Sequence, residues 1–242
     1  MMTVNKENRG GAIMINLRRG FTIIELLSVI AIIAVLAAIL VPVTRQVWVE
    51  VRAMQSASNL RQIHAAAIMY AQNHYGRYPD ATNTAYSKSW HYNAELQKYL
   101  GYEPTESEWE SKVCNDVLPV MQSPLVLGIH ENGGNWSYGA NYNAFGYYNS
   151  VSAPNGNKLE ELSVDTPSKT IMYGEANDWQ IAYWARKSWT PKDDERGYAG
   201  GSRCAYRYKG KCLAVTFGGN VVSFDMDESD KKSLWNPRAD DQ

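Results

Sequence analysis

Four histidines, three cysteines and a carboxyl-terminal run of carboxylates are the residues of this chain that could do chemistry. His64, His74, His91 and His130 are scattered, with no spacing that would hold a metal. His64 reads as a packed or exposed helix residue. Cys204 and Cys212 flank the segment AYRYKGK. In an oxidising compartment they would make a plausible disulfide; the plainer reading is two buried thiols, and either way Cys114 is left over. Asp225, Asp227 and Asp230 stand close together in DMDESD, as oxygen ligands for calcium would. An EF-hand loop starting at Asp225 would place glycine and glutamate where Asp230 and Asn236 stand, so a solvated acidic segment is the expectation. The charge run at Asp193, Asp194 and Glu195 reads as an exposed loop. No nucleophile elbow, zinc-protease helix, phosphate-binding loop or Cys-x-x-Cys occurs, and the chain reads as a non-enzyme that needs no cofactor.

The most unusual carboxylate is Glu25. From Phe21 to Val41 the only polar residues are Thr22, Glu25 and Ser28. About 20 apolar residues in a helix span a bilayer's hydrocarbon. A carboxylate in that setting costs free energy and marks function by default. Arg18 and Arg19 precede the run, which predicts a cytoplasmic amino end and an exported remainder. The run is too long for a secretory signal, and no Ala-x-Ala occurs among Ala31, Ala34, Ala37 and Ala38. A plain anchor explains the length but not Glu25. A cut between Gly20 and Phe21 would explain it. Phe21 would then carry a free α-amine one helical turn from Glu25, on its own chain or on a neighbour in a staggered stack. Such a pair is strong at low dielectric, and an unpaired buried carboxylate is costly, so the pair would set axial register.

RRGFTIIELLSVIAIIAVLAAILVP resembles the signal of type IV pilins and type II secretion pseudopilins. The resemblance implies cleavage after Gly20 by a prepilin peptidase, methylation of the Phe21 amine, and an assembly role for Glu25. It also implies a bend or melted stretch at Pro42, whereas proline alone could simply end the helix. Met14 would begin a leader of the family's usual length, MINLRRG. Asn59 to Ile63, Met69 to Ala71, Gly76 and Pro79 are similar to a subgroup that closes with an Arg-His pair, nine residues and Asp-Gly. Here Tyr208 and Gly218 replace that histidine and aspartate, so the resemblance carries no role for those polar positions, metal binding included.

These residues need a positioning frame. Val47, Val51, Met54, Ala57, Leu60, Ile63, Ala67 and Tyr70 recur at intervals of three and four and predict one apolar helix stripe. Gly76 and Pro79 end it. The organisation read from the chain is a leader over 1–20, a long helix over 21–75 spanning the membrane at 21–41, and an exported α+β domain over 76–242 with a small antiparallel sheet. In that domain HYNAELQKYLG reads as a short helix, PLVLGIH and SYGANYNAFGYY as strands or extended loops, and Thr170–Tyr173 as a strand. ENGGNWSYGANYNAFG reads as a long surface loop. CLAVTFGGNVVSFD is a hairpin split by Gly218, Gly219 and Asn220.

Twenty-four basic and 25 acidic residues argue against a nucleic-acid partner. The expected partners are the prepilin peptidase, other pilin-like subunits and inner-membrane lipid. The expected place is the cytoplasmic membrane, single-pass, with the carboxyl-terminal domain outside the cytoplasm. Ala31, Ala34 and Ala38 would let neighbouring helices approach closely, or are ordinary helix composition. The function read from the sequence is a structural subunit of a secretion pseudopilus or type IV pilus-like filament. The alternative is an anchored binding or enzymatic domain that uses the same export signal.

Overall fold

The computed structural model describes residues 21–83, 88–126, 137–145, 164–195 and 201–237, without the side chains of 45, 82, 83, 88, 194 and 195. The leader, Gly20 and His130 lie outside these. The chain divides into two compact bodies between Gln46 and Val47.

Helix α1, Ile23–Asn73, begins in the first body and ends in the second. Pro42 lies inside it and does not end it. Proline removes the amide that would bond the Ala38 carbonyl, and Thr44 Oγ1 donates to the Val41 carbonyl (2.9 Å) in the turn that follows. Within α1 one window is long and apolar enough to cross a membrane, and none of that window is buried.

The second body is built around a five-stranded sheet. Strands β1 (Thr82–Asn83) and β2 (Lys88–Ser89) form a separate antiparallel pair. Helices α2 (Ala94–Tyr99) and α3 (Glu106–Ser111) follow. Then come β3 (Tyr138–Asn141), α4 (Tyr142–Phe145), β4 (Ile171–Glu175), β5 (Gln180–Ile181), α5 (Pro191–Glu195), β6 (Cys212–Thr216) and β7 (Val221–Phe224). The sheet order is β5-β3-β4-β6-β7. The class is α+β as expected, but the sheet is mixed rather than antiparallel, because β5 pairs with β3 in parallel. At that pair Gly139 is required: a Cβ there would stand 2.6 Å from the Gln180 carbonyl carbon.

Strand alternation divides the core. Leu213 and Val215 of β6 join one apolar cluster; Cys212 and Ala214 join the other. A register shift between Ile171 and Tyr173 lets Met172 and Tyr173 both reach the first cluster while Ile171 faces the second. The first cluster includes Leu60, Ile63, Ala66, Ala67 and Ala71 of α1. The second is closed by Trp189, Tyr206 and Trp235.

Leu60, Ile63 and Ala67 of the predicted stripe are therefore core, but Val47, Val51 and Met54 are exposed, Met54 at 70%. The buried face passes instead through Ala53 and Ser56. Its helical spacing continues, but one member is a serine, recruited by a buried polar group described below. SYGANYN is no surface loop: β3 is buried at every position. The hairpin is present, with Gly219 at φ +81° in its turn and the His64 ring against it, Nε2 2.9 Å from the Phe217 carbonyl oxygen. Asp193 is not on an exposed loop either. It is buried at the start of α5, accepts from Thr190 N and Oγ1, and pairs with Arg203 at 3.0 Å.

Candidate functional site

The amino-terminal site is built on the first turn of α1. An α-helix leaves its first amides without partners. Thr22 sits just before the helix and Glu25 three residues on, the S/T-x-x-E spacing of a capping box. Thr22 N and Oγ1 both donate to Glu25 Oε2 at 2.8 Å, and Glu25 N donates to Thr22 Oγ1 at 3.3 Å. Among the described residues, Glu25 Oε1 accepts no hydrogen bond. Ser28 Oγ donates to the Glu25 carbonyl (2.9 Å), so the third polar residue of the run is satisfied inside its own helix. The apolar residues around them are bare: Phe21 is 79% and Ile23 83% exposed. Gly20 lies outside the described residues, Phe21 precedes the helix, and Pro42 stands well along it.

A second constellation lies in the other body, and sequence reasoning passed over it. Glu175, at the end of β4, is completely buried. Its Oε1 accepts from Ser56 Oγ of α1 and from Ser123 Oγ (2.7 Å). Its Oε2 accepts from Arg207 Nη1 at 2.7 Å, and Arg207 Nη2 reaches the Ala176 carbonyl at 2.7 Å. Tyr138 OH lies 2.9 Å from Ser56 Oγ. Burial pushes the Glu175 carboxyl upward; Arg207 and the two serines pull it back. Three hydroxyls and one guanidinium thus close a knot joining α1, β3, β4 and the chain before β6. Its members are buried, and it holds the fold. Next to it Tyr208 OH donates to Glu50 Oε2 of α1 (2.7 Å), and Lys209 pairs with Glu50 Oε1. The Arg-Tyr pair that interrupts the subgroup's closing pattern is therefore occupied in fixing α1.

The remaining candidates disperse. Asp225 Oδ1 accepts from the Asp227 and Glu228 amides, Asp227 is exposed, and Asp230 is held by Arg186 (2.6 Å) and Lys187 (2.6 Å). These three do not converge as calcium ligands, because two cations already occupy Asp230. Among the described residues no group of histidine, cysteine and carboxylate side chains is arranged to hold a metal. His91 is buried between Trp90, stacked at 3.9 Å, and Ser89 Oγ, 3.1 Å from Nδ1. Burial drives its imidazole down to about 3, with the Tyr138 backbone pulling weakly the other way. It is a neutral core histidine. Cys114, Cys204 and Cys212 are free thiols, all buried, and burial pushes Cys114 up to about 12.

Residues 15–41 match the family model of the prokaryotic N-terminal methylation motif. The match takes in Gly20, Phe21 and Glu25 and ends before Pro42. No curated protein matches the chain, and no solved structure does. The matched residues support a precursor of the type IV pilin-like or pseudopilin kind, for which processing by a prepilin peptidase and assembly with similar subunits are implied, and the bare apolar helix is compatible with membrane anchoring. Capped glutamate, exposed apolar run and matched motif coincide on one stretch: the chain carries a type IV pilin-like prepilin signal.

Proposed function

We propose that this chain is a structural subunit of a type II secretion pseudopilus or a type IV pilus-like filament. Cleavage after Gly20 frees the Phe21 amine, which is then methylated. The helix holds the subunit in the cytoplasmic membrane, with the carboxyl-terminal domain outside. On assembly the helix leaves lipid for a bundle of identical helices, where Ala31, Ala34 and Ala38 allow close approach and Pro42 loosens the helix so that it can adapt to its neighbours.

The observation that carries this reading is the half-used carboxylate of Glu25. Oε2 is committed to Thr22, which orients the side chain along the start of the helix. Oε1 accepts nothing among the described residues, and a carboxylate oxygen kept from water without a donor is costly. A neighbouring subunit's Phe21 amine is the donor of matching charge that cleavage creates. The cap and the pair use different oxygens, so the glutamate can end its own helix and meet its neighbour at once.

Mass spectrometry of the protein taken from its native membrane tests the processing. The expected amino terminus is N-methyl-phenylalanine at Phe21. An intact terminus at Met1 or Met14 would overturn the proposal.

A further inference from the structure

The segment between Cys204 and Cys212 has a shape that neither its spacing nor the prepilin signal anticipates. Ala176, just past β4, pairs antiparallel with Cys204. The Ala205 amide donates to the Glu175 carbonyl at 2.9 Å. Cys212 then opens β6, whose Ala214 pairs with Gly174 in the same direction, and its Sγ reaches the same Glu175 carbonyl at 3.5 Å. One edge of β4 therefore receives the chain twice. Residues 205–211 leave that edge and return to it, and a cysteine stands at each foot of the excursion. Both are fully buried in one apolar cluster. The excursion carries Arg207, which closes the Glu175 knot, and Tyr208 and Lys209, which hold Glu50 of α1. Cys114 lies far along the chain, outside this cluster.

We infer that Cys204 and Cys212 are joined by a disulfide in the mature protein, and that this bond pins the feet of the loop that clamps the sheet to α1. The free thiols of the structure are then the reduced form. The inference rests on the export proposed above, because a disulfide persists only in an oxidising compartment. The reaction is thiol–disulfide exchange with an exported oxidoreductase that carries a disulfide. The thiolate of one cysteine attacks that disulfide, forming a mixed disulfide and releasing one oxidoreductase thiol. The second cysteine's thiolate then displaces the other oxidoreductase sulfur. One S–S bond forms and one is broken; two electrons and two protons pass to the oxidoreductase, which leaves as a dithiol. Both thiols are out of solvent once the fold is made, and burial holds the Cys212 thiolate scarce. The exchange therefore precedes closure of the loop, on the newly exported chain.

Full-length protein is extracted from its membrane under acid quench, alkylated, and digested with trypsin. Trypsin cuts after Arg203, Arg207, Lys211 and Lys231, so the bond would join residues 204–207 to residues 212–231. The expected result is this linked pair, about 2 Da lighter than its two thiol peptides together, with Cys114 alone alkylated. Reduction should lower the Tm of the wild type by roughly 5–10 °C and leave Cys204→Ser/Cys212→Ser unchanged. Alkylation of both Cys204 and Cys212 overturns the inference. Protease added outside intact cells or spheroplasts tells the two failures apart. A cleaved domain with both thiols alkylated sinks the disulfide alone, whereas a protected domain with both thiols alkylated sinks export with it.

Discussion

Glu25 and Glu175 are two carboxylates in apolar surroundings, and the chain completes one and leaves the other open. Glu175 has its donors on hand from three other segments: Ser56 of α1, Ser123, and Arg207 before β6. Among the described residues Glu25 has only Thr22, three residues back, and only on one oxygen. A buried charge with all its partners in one chain fixes a fold. A charge with half its partners, on a stretch of helix whose apolar residues are exposed, is what the proposed assembly would use. The same physical cost of desolvating a carboxylate acts as glue in one body and, in the proposed function, would drive assembly through the other.

That contrast can be broken at either end. Removing the cation of the buried pair should have the largest effect. Arg207→Met strands Glu175 and is expected to destabilise the second body by about 3–5 kcal/mol, read from urea unfolding. A loss under about 1 kcal/mol would mean that the knot is open to water. Within α1, Leu60→Ala should cost about 2–5 kcal/mol, while Met54→Ala, on the exposed part of the predicted stripe, should stay within about 0.5 kcal/mol. Equal costs would restore the stripe read from the sequence.

Acid should act through His91. Its folded-state value near 3 lies below the ordinary value of about 6.5, so only the unfolded chain takes up the proton between them. Stability is fully present above pH 6.5 and falls as pH drops through that window, by up to about 1.4 kcal/mol per pH unit. His91→Phe should flatten that limb. Smallest of all is the cap. Thr22→Val should weaken the first turn of α1 by about 1 kcal/mol, seen as faster amide exchange there, with no change in domain unfolding.

What the sequence revealed differs between the two bodies for a physical reason. The amino-terminal site is local: Gly20, Phe21 and Glu25 lie within six residues, so spacing alone exposes it. The capping box is just as local, Thr22 to Glu25, and the T-x-x-E signal was there to be read. The hairpin was legible because Gly218, Gly219 and Asn220 interrupt two β-rich runs. The Glu175 knot was not, because its members come from positions 56, 123, 138, 175 and 207, each an ordinary residue in its own stretch. Ser56 interrupts the apolar period and so diverted the helix face to Met54. Asp193 read as solvated charge because its partners, Thr190 and Arg203, show only once the chain is folded. β5 has two residues, too few to carry any pattern, so the parallel pairing has no signal in the sequence.

The central claim is that Glu25 is kept for a neighbour's amine. The direct measurement is the share of Glu25→Leu found in sheared filaments against the share in the membrane, with urea unfolding of the exported domain as a control. The expected result is full membrane insertion, unchanged domain stability and loss from filaments. Wild-type incorporation of Glu25→Leu would contradict the claim.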